Sequence, residues 1–166
     1  MSPADEPVLI VDRDNREIGV APRREMRAQG LLHRSTYLLV FNSGGRLFVH
    51  KRTGTKDVYP GYFDPVAGGV VQAGETYEQS AERELAEELG IRGAALRSLF
   101  DFYFEEGTCR VWGRAFSCVY DGEMTLQPEE VESGEFLPPE EVLRRAESEP
   151  YTPDGLYVVR RYLWSR

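Results

Sequence analysis

Short apolar runs separated by turn-forming clusters dominate the first part of the chain, and a single helical period interrupts them. Val8–Asp12 and Glu17–Ala21 flank Arg13-Asp14-Asn15-Arg16 and predict a hairpin. Pro22 to Gln29 predicts a short helix closed by Gly30. Ser35–Phe41 and Leu47–Lys51 read as strands joined by Asn42-Ser43-Gly44-Gly45, a strong hairpin signal. Tyr59 to Val71 is rich in Gly and Pro and has no clear period. Leu96–Phe104 and Cys109–Tyr120 are aromatic-rich strands around Glu105-Glu106-Gly107. Glu135–Leu137 is a short strand, and Pro138-Pro139 opens a helix through Ala146. Thr152-Pro153-Asp154 caps a last helix whose Leu156, Val159 and Leu163 form a stripe for the core. Strands flanked by three helices predict an α/β/α sandwich with a mixed sheet.

The helical period is clearest from Tyr77 to Leu89, which lacks Gly and Pro and is rich in Ala, Glu, Arg and Leu. Thr76 is its N-cap, Gln79 completes a capping box, and Gly90 is its stop. Ala81, Leu85 and Leu89 recur at four-residue spacing as a core stripe. Glu84, Glu87 and Glu88 are spaced three and four apart, which places three carboxylates on one face. Like charges at that spacing destabilise a helix by a few tenths of a kcal/mol, and the helix offers only Arg83 in return. Clustered, under-compensated carboxylates suit a hard divalent cation such as magnesium or manganese, which takes oxygen ligands.

The stretch Gly69 to Ile91 holds every fixed position of the pattern G-x5-E-x7-R-E-U-x-E-E-x-G-U, where U is aliphatic. Gly69, Glu75, Arg83, Glu84, Glu87, Glu88 and Gly90 fill it. In this the chain resembles the Nudix hydrolases. The resemblance implies a Nudix fold with a loop-helix-loop motif and metal-assisted cleavage of a diphosphate linkage. It implies Glu84, Glu87 and Glu88 as metal ligands, the Gly69 carbonyl completing the shell, and a Glu75–Arg83 ion pair orienting the helix. The implied cofactor is Mg2+, with Mn2+ as a substitute. A loop glutamate before the last strand often serves as general base in such enzymes, and Glu130 matches that position, as base or further ligand or as part of an acidic surface loop.

His33-Arg34, Val49-His50-Lys51-Arg52 and Pro60-Gly61-Tyr62-Phe63 resemble the isopentenyl-diphosphate-isomerase-like branch of the superfamily. True isomerases use a cysteine before the motif, a glutamate on a later strand, and a metal held partly by histidines. Here Gly68 stands at the cysteine position, Val70 and Met26 fall at or near histidine positions, and only two histidines exist in the chain. The frame is isomerase-like and the equipment is that of a hydrolase. Tyr103-Phe104-Glu105 and Cys109-Arg110-Val111-Trp112-Gly113 resemble the YfcD group of bacterial Nudix hydrolases. The expected activity is hydrolysis of a nucleoside di- or triphosphate or a nucleoside-diphosphate derivative. Isomerase-like activity and a non-catalytic, nucleotide-sensing domain are the alternatives.

Length and composition fit one domain over 1–166, with the hairpin at about 8–21 as an extension. The net charge of −8 and pI near 4.9 argue against nucleic-acid binding. No run is long enough to span a membrane, and the N-terminus lacks a signal-peptide pattern, so a cytoplasmic monomer or homodimer is expected. Cys109 and Cys118 lie an odd number of residues apart in one strand and are expected to be free thiols on opposite faces. Arg34 and Arg52, at element ends, are candidate phosphate contacts. Arg23 and Arg24 read as a solvated surface, and His33 as a structural hydrogen-bonder. Tyr59, Tyr62, Phe63, Phe102, Phe104 and Trp112 could stack on a base, but in strands they are more often core.

Overall fold

A nine-residue strand, β3 (His33–Phe41), organises the computed structural model, which describes residues 2–165. Its run Tyr37-Leu38-Leu39-Val40-Phe41 is buried on both faces, as a strand at the centre of a layered fold must be. Alternation sends Tyr37, Leu39 and Phe41 to one side and Leu38 and Val40 to the other. The first set packs with the helices α3 (Pro139–Arg145) and α4 (Pro153–Ser165), through Val142, Leu156 and Val159. The second set meets α2 (Tyr77–Glu84) and the π-helical turn Leu85–Leu89 that continues it, through Ala81, Leu85 and Leu89. Helices on both faces of a mixed sheet give the α/β/α arrangement expected. Burying each of these leucines is worth about 1.5–3 kcal/mol.

Along β3 runs the parallel strand β7 (Cys109–Val119), paired from His33↔Val111 to Phe41↔Val119, with β6 (Arg97–Glu106) antiparallel outside it. The hairpin β1 (Pro7–Val11) and β2 (Glu17–Pro22) joins through Ile10↔His33, and α1 (Arg23–Gln29) follows, closed by left-handed Gly30. β4 (Leu47–Arg52) pairs with the short β5 (Phe63–Asp64) and with β8 (Val131–Leu137). Cys109 packs toward α4 and Cys118 toward α2, so the thiols do take opposite faces, and both are free. No described helix is long and apolar enough to cross a membrane.

Three expectations are corrected. The Asn42–Gly45 turn forms, but β3 and β4 separate after Phe41↔Leu47 instead of continuing as a hairpin. Residues 67–71 enter the gap: Leu38 and Ala67 exchange hydrogen bonds of 2.8 and 2.9 Å, and the Val71 amide donates to Arg34 at 2.9 Å. The Tyr77–Leu89 helix is α-helical only to Glu84. Leu85–Leu89 forms a π-turn, and the free Glu88 and Leu89 carbonyls at its end accept from the Gln127 and Thr125 amides, at 2.9 and 3.0 Å. β8 starts at Val131 rather than Glu135, so Glu130 directly precedes a strand.

Candidate active site

The loop entering α2 is anchored before any carboxylate is placed. The Thr76 hydroxyl accepts from the Gln79 amide at 3.1 Å, and the Gln79 side chain accepts from the Thr76 amide at 3.0 Å. Arg83 then reaches back to Glu75 with two bonds, 2.6 Å from Nε and 2.9 Å from Nη2. Glu75 also accepts from the Gln72 amide at 2.9 Å. Burial works against the Glu75 carboxylate, but these donors outweigh it and its pKa lies below the usual value. The pair thus ties the loop to the helix, as the resemblance implied.

Arg83 also holds Glu84 at 2.9 Å and Glu87 at 3.3 Å. Glu84 and Glu88 are hydrogen-bonded to each other, and the Gly68 amide donates to Glu88 at 3.0 Å. Burial is the main cause of a raised pKa in both, and the Glu84 charge pushes Glu88 further, well above the normal range. Both carboxyl groups therefore give up a proton less readily than a free one does. Glu87 is held by Arg83, and among the described residues no three His, Cys, Asp or Glu side chains are gathered closely enough to hold a metal ion as they stand. Glu87 lines the same cleft as Glu84 and Glu88, and one Arg83 nitrogen, Nη1, bridges it to Glu84.

Two adjacent, largely enclosed carboxyl groups fit a divalent cation as a donor set. Half-exposed Glu87 has the freedom to join them. The Gly69 carbonyl does not match its expected role so directly: it already accepts from the Thr36 amide at 2.9 Å and from its hydroxyl at 3.3 Å. Gly68 is required by close approach to backbone, whereas a side chain at Gly69 would meet only the carboxylate end of Glu84. A Cβ on Gly69 would lie 2.8 Å from Glu84 Oε1, and one on Gly68 (φ +123°) would lie 2.2 Å from the Thr36 carbonyl oxygen. A side chain at position 68 would therefore collide with the Thr36 backbone.

These groups open onto a cleft of about 690 Å³. Glu84, Glu87, Glu88 and Arg83 line it together with Lys56, Glu130 and, from α1, Arg23, Arg24 and Arg27. Glu130 is ion-paired to Lys56 at its rim. Arg34 is elsewhere, bound by Asn15 through bonds of 2.8 and 2.7 Å and stacked over Tyr77. Arg52 donates to Asp64 at 3.2 Å and to the Val58 carbonyl at 2.9 Å, lining a side cavity of about 90 Å³ that also touches Glu88. Neither arginine lines the main cleft. His33 is buried and donates to the Leu31 carbonyl at 2.9 Å; burial lowers its pKa to about 4. His50 lines the side cavity, its Nδ1 without a hydrogen-bond partner, and burial lowers it to about 3. Both imidazoles are neutral near pH 7. The aromatic candidates Phe63, Phe102 and Phe104 pack on the α4-side core, and Trp112 packs on Tyr103.

The arginines of α1 are what the sequence reading missed. Arg23 and Arg27 are four residues apart on one helix, and their side chains are about one-fifth exposed. The one available signal was that spacing, since nothing local says which way the helix faces.

The NUDIX domain family matches residues 31–159, and the chain belongs to that family. Its class is that of the Nudix pyrophosphohydrolases, enzymes that generally use divalent metal ions and act on nucleoside-diphosphate derivatives. Among its relatives, an uncharacterised Nudix hydrolase of Pseudomonas aeruginosa is 50% identical over 158 residues, 95% of this chain and 94% of its own. The uncharacterised Nudix hydrolase YfcD of Escherichia coli K12 is 47% identical over 159 residues, 96% and 86% of the two chains. The crystal structure of DR0079 from Deinococcus radiodurans superposes with a TM-score of 0.84 at 29% identity, covering 94% of this chain and 98% of that one. The NUDIX domain of Shewanella oneidensis NrtR, complexed with ADP ribose, shares the fold at a TM-score of 0.63 and 16% identity, covering 81% and 86%.

Proposed function

We propose that this protein hydrolyses the diphosphate linkage of a nucleoside di- or triphosphate or a nucleoside-diphosphate derivative, using Mg2+ or Mn2+. The observation that carries this reading is the pair of buried Glu88 and largely enclosed Glu84, opening onto a cleft whose other walls bear arginines. Glu84, Glu88 and Glu87 would hold the ion. When bound, a divalent ion supplies positive charge to the non-bridging phosphate oxygens and acidifies nearby water.

The protein's own groups do the rest. Arg83 fixes the carboxylates in register, and its bond to Glu75 keeps the entering loop against the helix. The Gly68 amide orients Glu88. Glu130, at the cleft rim beside Lys56, accepts the proton of the attacking water as general base. Enclosure by the cleft strengthens each of these charge interactions. The ADP ribose bound by the related NrtR fold is one member of the proposed substrate class.

The deciding experiment is a substrate panel with Mg2+ or Mn2+ in oxygen-18 water, read by mass spectrometry. Label in a phosphate-containing product gives the substrate and the phosphorus attacked together. Tight nucleotide binding with no label incorporated from any substrate would instead assign a sensing role. Interconversion of five-carbon diphosphates without phosphate release would assign the isomerase role.

Metal binding is also expected to depend on pH. Because burial and mutual repulsion favour the protonated forms of Glu84 and Glu88, an incoming cation competes with protons for them. Mg2+ affinity then rises with pH above the normal carboxylate range, with proton release. Calorimetry in buffers of different ionisation enthalpy measures this directly, and a release of no protons at any pH from about 5 to 8 would refute the raised proton affinity of the pair.

A further inference from the structure

Helix α1 precedes the segment matched by the NUDIX domain family, yet it supplies part of the cleft wall. Most basic groups there are answered by carboxylates of their own: Arg24 by Asp5, Lys56 by Glu130, and Arg83 by three glutamates. Arg23 and Arg27 differ, because they share one acid. The Arg23 and Arg27 Nε atoms both donate to Asp57 Oδ2, at 3.1 and 3.2 Å, and Arg23 Nη2 reaches Oδ1 only at 3.5 Å. Two guanidiniums on one carboxylate leave that three-residue cluster at +1, in a cleft where Arg23 also feels the more remote Glu6 and Glu84 carboxylates.

A carboxylate is an imperfect partner for this pair. It has two oxygens, and one of them takes both Nε donors. A phosphoryl group brings three acceptor oxygens and up to two negative charges, enough to engage both planar forks. We propose that Arg23 and Arg27 form an anion subsite for the substrate phosphoryl group farther from Glu84 and Glu88, and that Asp57 fills this subsite until substrate displaces it. The assignment rests on the reading of the Glu84–Glu88 cleft as a diphosphate site. It makes α1 a determinant of substrate class: a ligand must carry a second phosphoryl group next to the one held at the carboxylates.

The test is calorimetric titration of the full chain with methylenediphosphonate, whose P–C–P bridge resists hydrolysis, in the presence of Mg2+. Arg23→Gln and Arg27→Gln are each expected to weaken binding about 10–100-fold, as expected for losing a charged hydrogen-bonding partner. Asp57→Asn is expected to tighten it several-fold, since the competing anion is gone. Arg27→Lys, which keeps the charge but loses the fork, should fall between wild type and Arg27→Gln. In turnover, the Arg→Gln variants raise KM more than they lower kcat. Thermal midpoints identify any variant that fails to fold, and Arg27→Lys keeps the test open in that event. Wild-type affinity in both Arg→Gln variants would overturn the subsite alone. So would weaker binding by a folded Asp57→Asn protein, which would make Asp57 a structural tie. If wild-type protein does not bind the probe with Mg2+ at all, the diphosphate reading of the cleft falls with it.

Discussion

Replacing Glu88 by Gln is expected to lower kcat at least about 10²–10³-fold, the loss typical of removing one preorganised electrostatic group from a reaction centre. The fold should survive, because the amide oxygen still accepts from the Gly68 N–H. The same substitution is expected to make the metal-free protein more stable at alkaline pH. The sign follows from linkage. Glu88 has a folded pKa raised above the unfolded value of 4.5, so its favourable contribution is complete at acid pH and is lost as pH rises through the folded pKa. Gln cannot ionise and removes that loss. Kinetic assay with Mg2+, together with thermal melts of metal-free protein across pH, reads both effects. Near-normal turnover would disprove the assignment of Glu88 to the reaction centre, whatever the melts show.

Gly68→Ala is expected to have the largest effect on stability. The Cβ would lie 2.2 Å from the Thr36 oxygen and 2.8 Å from its carbonyl carbon, both backbone atoms of the central strand. Neither can move without breaking the pairing that brings residues 67–71 against β3. The backbone at φ +123° is itself strained for any residue with a side chain. A loss of about 3–5 kcal/mol is expected, which for a chain of this size is a fall in Tm of roughly 10 °C or more. Activity should fall with it, since the Gly68 amide orients Glu88. Gly61→Ala is the control. It has a positive φ of 74° but nothing within 4 Å of the new Cβ, so its cost is about 1–2 kcal/mol from the backbone alone. Equal Tm values for the two variants would show that contact with Thr36 is not what fixes the loop.

Much of the site was legible because its determinants are local. The capping box at Thr76 and Gln79, the i,i+4 contact of Arg83 with Glu87, and the stop at Gly90 each depend on residues within a turn or two, and each formed as expected. The arginines' partners were not legible, for the opposite reason. Arg34 and Arg52 sit at strand ends and looked free to meet phosphate. Their guanidiniums are bound by Asn15, nineteen positions earlier, and by Asp64, twelve positions later. Arg23 read as solvated surface, but its partner is Asp57, thirty-four positions away. Long flexible cations go where an acceptor is folded against them, and periodicity carries no record of that.

By itself, then, the sequence determined the element types, the α/β/α class, and the spacing of Glu75, Arg83, Glu84, Glu87 and Glu88, because hydrophobic period and helix geometry act over a few residues. Only the tertiary structure decided how those carboxylates are used. It set Glu84 against buried Glu88 and left Glu87 half exposed on the same cleft. It pressed Gly68 against Thr36, and it brought α1 to the cleft with two arginines on one aspartate. Burial and charge pairing are properties of the assembled layers, set by segments far apart in the chain, and they decide which ionisable groups meet a ligand.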